Sequence, residues 1–128
     1  GIYLIDLANN NILISPYFIM NLLWYPAYET LFSIIRKISI NRSALTPDNL
    51  HLHQLVYLII KNKISSSSYA NSISGISINI YNFAIFYFAS QNYSNTKFQL
   101  LLVFLSFIIY NILYIILISN LKKNKIIK

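Results

Sequence analysis

Cysteine is absent from the chain, which excludes disulfides, thiolate metal sites and cysteine nucleophiles. Acid is nearly absent: Asp6, Glu29 and Asp48 are the only three carboxylates in 128 residues, too few and too scattered to form a metal-binding cluster. Charge of either sign is scarce, at 10% of residues against the roughly 25% of ordinary soluble domains. In its place stand hydrophobic residues, 56% of the chain, a composition that indicates an all-α integral membrane protein.

The distribution of charge sharpens this. No charged residue occurs from Ile64 through Thr96 or from Phe98 through Leu121, and each interval exceeds the roughly 20 residues a helix needs to cross a bilayer. Residues 98–119 would extend about 33 Å against a hydrocarbon thickness of about 30 Å. A second span is expected over 71–90, with Asn79, Asn82 and several serines turned toward neighbouring helices. A third lies within 12–35, charged only at Glu29, where Pro16 and Pro26 predict a kink or a late start. Gly1 to Ala8 is apolar but too short to cross, and reads as the end of a preceding helix. About three transmembrane helices are therefore expected, as the C-terminal fragment of a larger polytopic helical bundle.

The net charge of +7 is placed unevenly. Arg36, Lys37, Arg42, Lys61 and Lys63 fall between the first and second spans, and Lys122, Lys123, Lys125 and Lys128 follow the last. The link between the second and third spans has only Lys97. By the positive-inside rule the loop over 36–70 and the basic tail over 120–128 both face the cytoplasm, in a plasma (inner) membrane protein. A lysine tail serves as a membrane anchor, and nothing in the chain calls for nucleic acid as a partner. The 11 tyrosines are expected at headgroup level and in packing.

Within that loop lies "PDNLHLHQL", Pro47 to Leu55, the one place where an acid and two histidines come close together. Pro47 and Asp48 break the preceding structure, and Asp48 is suited to cap a helix beginning at Asn49. Leu52, Leu55, Val56, Ile59 and Ile60 then form one apolar stripe, so a short amphipathic helix lying along the cytoplasmic membrane surface is expected. On a continuous helix His51 and His53 would diverge by about 200° and flank the stripe. Paired helical metal ligands sit three or four residues apart, so this spacing argues against zinc. Two readings remain: imidazoles resting at the headgroup boundary, or imidazoles that, with Arg36 and Arg42, donate hydrogen bonds to an anionic phosphate. Glu29 has Ser33 one turn on and Arg36 and Lys37 two turns on, which suits either an internal polar network or direct ligand contact.

The stretch "SPYFIMNLLWYPAYETLFSIIRKISINRSALTPDNLHLHQLVY", Ser15 to Tyr57, resembles the C-terminal part of the bacterial polyprenyl-phosphate N-acetylhexosamine-1-phosphate transferases. These are glycosyltransferase family 4 enzymes, relatives of the phospho-N-acetylmuramoyl-pentapeptide transferases. The resemblance rests on an ordered set: P-x-x-E-T-L-F-S-I-I-R-K, a basic linker, then P-D-x-x-H-L-H, with one span before it and two after. It implies an integral-membrane enzyme in which a polyprenyl phosphate oxygen attacks the β-phosphorus of a UDP-N-acetylhexosamine, giving a polyprenyl diphosphate sugar and UMP. Lipid-linked precursors of cell-wall or surface polysaccharides are the expected products.

Carried over by position, His51 and His53 match the first two histidines of the family's loop motif, Asp48 its preceding acid, and Arg36 with Lys37 the basic pair ending the helix. Gln54 stands where several relatives have a third histidine. The resemblance thus implies that Asp48, His51, His53, Gln54 and Arg36 meet the UDP-sugar phosphates, supported by Glu29, Ser33, Lys37 and Arg42. The family's chemistry also uses Mg²⁺, held by paired-aspartate and Asn- and Asp-rich motifs on earlier loops. Those motifs have no counterpart here, so no catalytic or metal residue is expected in this chain, which alone should be inactive. Two alternatives explain the hydrophobicity equally well, a non-enzymatic small membrane protein and a degenerate remnant of such a transferase, but the first leaves the ordered polar set unexplained.

Overall fold

A computed structural model describes residues 2, 6, 9, 10, 13–41, 43 and 50–127. Four helices are described from end to end: α1 (Pro16–Ser39), α2 (Leu52–Lys63), α3 (Ser67–Gln91) and α4 (Thr96–Lys123). No strand occurs among the described residues, whose regular structure is all helical. Both α3 and α4 are long and apolar enough to cross a membrane. Residues 1–8 lie largely outside the described set.

Each helix begins and ends for local reasons. Pro16 occupies the first turn of α1, where its missing N–H is no loss and its fixed φ is already helical, and Ser15 precedes it as N-cap. Pro26 remains inside the helix, and the Thr30 hydroxyl donates to its carbonyl at 2.8 Å. The helix runs four residues past the expected Ile35, through Arg36 and Lys37, whose charge suits the negative end of a helix dipole. Asn41 then turns the chain with φ 55°, in the left-handed region asparagine tolerates. At the other end of the chain the basic tail closes α4. The Ile126 N–H bonds the Leu121 carbonyl and Lys125, at φ 55°, bonds Lys122, a Schellman closure that brings Ile126 back onto the core.

The core is aromatic. Trp24, Tyr28 and Phe32 recur every fourth residue of α1 and so share one face. They interleave with Phe107, Tyr110 and Tyr114 of α4: Tyr28 stacks on Phe107 with centroids 4.6 Å apart, and Phe32 meets Tyr114 edge-on at 4.7 Å. Tyr110, fully buried, lies at their centre. Several tyrosines thus form the interior rather than a headgroup belt, because α1 and α4 pack face to face along this ladder. The short helix α2 also departs from expectation. Leu52 and Leu55 are fully buried against the bundle, and α2 packs on α3 and α4 rather than resting on a membrane surface alone.

At the end remote from α2, Gln99 replaces apolar packing with a hydrogen-bond clasp. Its Nε2 donates to the carbonyls of Ala89 and Asn92 at 2.7 and 2.9 Å, and its Oε1 accepts from Asn21 Nδ2 at 2.8 Å. One buried side chain therefore joins α1, the end of α3 and the start of α4. Replacing Gln99 by leucine should leave the Asn21 amide only the residue 99 carbonyl, 3.1 Å away, and take the donor from the Ala89 and Asn92 carbonyls, loosening the α3–α4 turn at a cost of about 2 kcal/mol. The emission of the single tryptophan, the buried Trp24, followed on heating in detergent would report the lowered unfolding midpoint.

Candidate functional site

The polar residues singled out in the sequence converge where the last half of α1 meets the start of α2. Glu29 lies on the same side of α1 as Ser33, and both are buried. Its Oε1 accepts the backbone N–H of Leu52 at 2.8 Å and lies 3.1 Å from His51 Nδ1. A carboxylate from one helix therefore caps the N-terminus of another, 23 residues later, where the dipole favours negative charge.

This contact changes where α2 begins. The sequence suggested a helix from Asn49 capped by Asp48, but both residues lie outside the described set, and the helix that is described starts at Leu52 with His51 as its N-cap. Gln54, the third residue inside, reaches back so that its Oε1 accepts the His51 backbone N–H at 3.2 Å. Gln54 thus acts first as part of a cap, with Glu29 taking the next amide along.

The later start also corrects the placement of the histidines. His51 has extended backbone, with φ −71° and ψ 151°, so the helical rotation that would separate it from His53 does not apply. The two rings lie nearly parallel, 11° between planes and 5.7 Å between centroids. They form one small imidazole face instead of two flanks, with His53 exposed and His51 half-buried against Glu29. With Nδ1 committed to the carboxylate, His51 keeps Nε2 for a second partner, and only the imidazolium form donates to both.

Arg36 is brought to the same junction in a different role. Its Nη1 donates to the Leu50 carbonyl at 2.7 Å and also to the Tyr114 hydroxyl. The guanidinium carbon lies 5.5 Å from the Tyr114 ring centroid and 5.9 Å from that of Phe32. This arginine therefore ties the segment entering α2 to both α1 and α4. Lys37, one residue on, is buried, and Arg42 lies outside the described residues.

Three residues at the junction were not singled out by the sequence reasoning. The Tyr25 and Tyr110 phenols face the Glu29 carboxylate, which has a second oxygen, Oε2, without a hydrogen-bond partner. Tyr114 meets Arg36. The signal was present for α1, since Tyr25, Glu29 and Ser33 recur at i+4, as do Phe32 and Arg36. The α4 tyrosines carried none, because nothing local aligns 110 and 114 with residues some eighty positions earlier.

Among the described residues no group of three or more His, Cys, Asp or Glu side chains could hold a metal ion. Glu29, the carboxylate of this junction, is already engaged by the Leu52 amide and His51, so these residues do not fit a Mg²⁺ site. Comparison with protein-family models, with curated proteins and with solved structures finds no match to this chain.

Proposed function

We propose that this chain is the C-terminal part of a membrane phosphoglycosyl transferase, which moves N-acetylhexosamine-1-phosphate from a UDP-sugar to polyprenyl (undecaprenyl) phosphate with release of UMP. In this reading α1 is a third membrane span, the basic junction and the C-terminus face the cytoplasm, and the protein resides in the plasma membrane. The observation that carries the reading is the paired imidazole face of His51 and His53, backed by the buried Glu29 carboxylate and opening α2. It joins in space the separate halves of the ordered set that resembles the family.

The division of labour follows from the contacts. Glu29 already supplies the negative charge at the α2 N-terminus, so the first backbone amide is spent on it. Recognition of a diphosphate then falls to the imidazoles, with His51 Nε2 donating when the ring is charged and His53 adding a second donor at the exposed edge. Arg36, held by Leu50 and Tyr114, positions the segment that carries them. Mg²⁺ in the complete enzyme would neutralise the diphosphate and come from residues outside this set.

The test is UMP release from UDP-GlcNAc by membranes holding the open reading frame that contains this chain, supplied with undecaprenyl phosphate and Mg²⁺. His51→Ala and His53→Ala should each lower turnover about ten-fold, one charge-assisted hydrogen bond being worth roughly 1.5 kcal/mol or more, with membrane insertion unchanged. Wild-type turnover in both variants would reduce the motif to a packing feature.

A further inference from the structure

The hairpin of α3 and α4 leaves an apolar slot between its two helices. Two hollows, of about 520 and 170 Å³, lie along it and share Tyr81. The larger is walled by Ile85 and Phe88 of α3 and by Leu105 and Ile109 of α4. The smaller continues past Ile78, Leu113 and Leu117 to the flank of α2. From Ile109 to Leu117 the wall extends about 12 Å along α4, within the roughly 15 Å of one leaflet, half of a hydrocarbon core of about 30 Å.

One mouth of this slot is strongly basic. The Tyr81 hydroxyl donates to the Ser106 carbonyl, and Ile78 lines the same hollow as Leu113. That antiparallel register sets the start of α3 at Ser67 level with the end of α4 at Lys123. Helix α2 ends at Lys63, close before Ser67 in the chain, so Lys63 comes to the same end. There the Lys125 and Ile126 N–H groups bond back to the carbonyls of Lys122 and Leu121, and Lys122, Lys123 and Lys125 stand exposed with Lys63. Lys61, half-buried, turns to the Ser65 carbonyl instead. Among the described residues no carboxylate pairs with these lysines: Glu29 is held at the α2 N-terminus and Asp6 accepts from Asn10. At the opposite mouth, between Gln91 and Phe98, the one charged residue is Lys97.

We propose that this slot holds an anionic phospholipid, its acyl chain between α3 and α4 and its phosphate on Lys63, Lys122, Lys123 and Lys125. Slot and mouth call for the two parts of one molecule. The apolar walls suit a methylene chain, and the lysines need an anion that reaches them from the membrane side. A neutral lipid or an uncharged helix would fill the slot and leave the lysines without counter-charge. Basic clusters beside membrane spans recognise anionic headgroups, at about five-fold in affinity per lysine. Such lipids are concentrated in the leaflet that the lysine bias assigns to this end. The lipid site rests on α3 and α4 crossing a bilayer and is independent of the transferase reading.

The full chain, purified in neutral detergent and offered phosphatidylglycerol and phosphatidylcholine in equal amounts, should retain phosphatidylglycerol in native mass spectra. Lys63→Gln should lower that retention about five-fold, and Lys122→Gln with Lys123→Gln about 25-fold, whereas Lys97→Gln should leave it unchanged. Leu113→Trp, which fills the narrow part of the slot, should expel the lipid with every lysine in place. Excess inorganic phosphate, which has no chain for the slot, should not displace it. Equal retention of the two lipids, wild-type retention in the lysine variants or in Leu113→Trp, or displacement by inorganic phosphate would each overturn the proposal. Replacement by equimolar undecaprenyl phosphate would also overturn it, giving the slot to the acceptor of the transferase reading. Release of the chain from membranes by alkaline carbonate would remove the premise that α3 and α4 cross the bilayer, and the proposal with it.

Discussion

Replacing Arg36 by alanine is expected to release the segment entering α2 and to lower stability by about 3–4 kcal/mol, a large share of the roughly 5–15 kcal/mol that holds a typical domain. Two hydrogen bonds from a charged donor would be lost, to the Leu50 carbonyl and to the Tyr114 hydroxyl. The guanidinium also leaves the faces of Phe32 and Tyr114, a contact worth about 0.5–2 kcal/mol. The Leu50 carbonyl loses the donor that Arg36 supplies. Because Trp24 belongs to the same aromatic cluster, its emission on heating in detergent should show an earlier transition, and protease should cut sooner between α1 and α2. Arg36→Lys should recover only part of the loss, since an ammonium keeps the charge but neither the planar fork nor the stacking. Identical melting of Arg36→Ala and wild type would show that the clamp carries no energy.

Glu29→Ala should act mainly on the start of α2. The Leu52 amide loses its acceptor and His51 loses the partner of its Nδ1. A bond from a backbone amide to a carboxylate contributes about 2 kcal/mol, so amide exchange at Leu52 should quicken about 30-fold. The global effect is expected to be smaller, because removing a buried carboxylate with one oxygen unpartnered relieves desolvation. Glu29→Gln separates the two contributions. It preserves an acceptor for Leu52, keeping exchange within about three-fold of wild type, but it replaces the carboxylate that faces His51 Nδ1 with a neutral amide. On the proposed function, Glu29→Gln in the complete protein should lower UDP-sugar turnover about ten-fold while α2 stays folded. Full turnover in Glu29→Gln would assign Glu29 to capping alone.

These two residues mark how far the sequence could be read. The apolar stripe of α2 and the long apolar helices α3 and α4 were legible because each is a local pattern: a charge-free run, or a 3.6-residue repeat. Glu29 and Arg36 were legible as residues of interest, since polar groups are so rare here, but their partners were not. Leu52 N–H, Leu50 C=O and Tyr114 OH come from chain positions 14 to 78 residues away, and backbone groups carry no residue-specific mark at all. The helix start was misplaced for the same reason. Asp48 has the local chemistry of a cap, yet the amide of Leu52 is capped by a carboxylate on another helix, which no window around Pro47 contains.

What the sequence determined unaided is the all-helical, membrane-like character, because solvation depends on composition and a helix satisfies its own backbone within a few residues. It determined also which few side chains could carry chemistry, by leaving so few. Only the tertiary structure decided that the two histidines form one face, that Gln54 caps, and that Arg36 clamps instead of standing open. Each of those outcomes depends on which groups meet across helices, and in a core this aromatic that is settled by packing between distant segments.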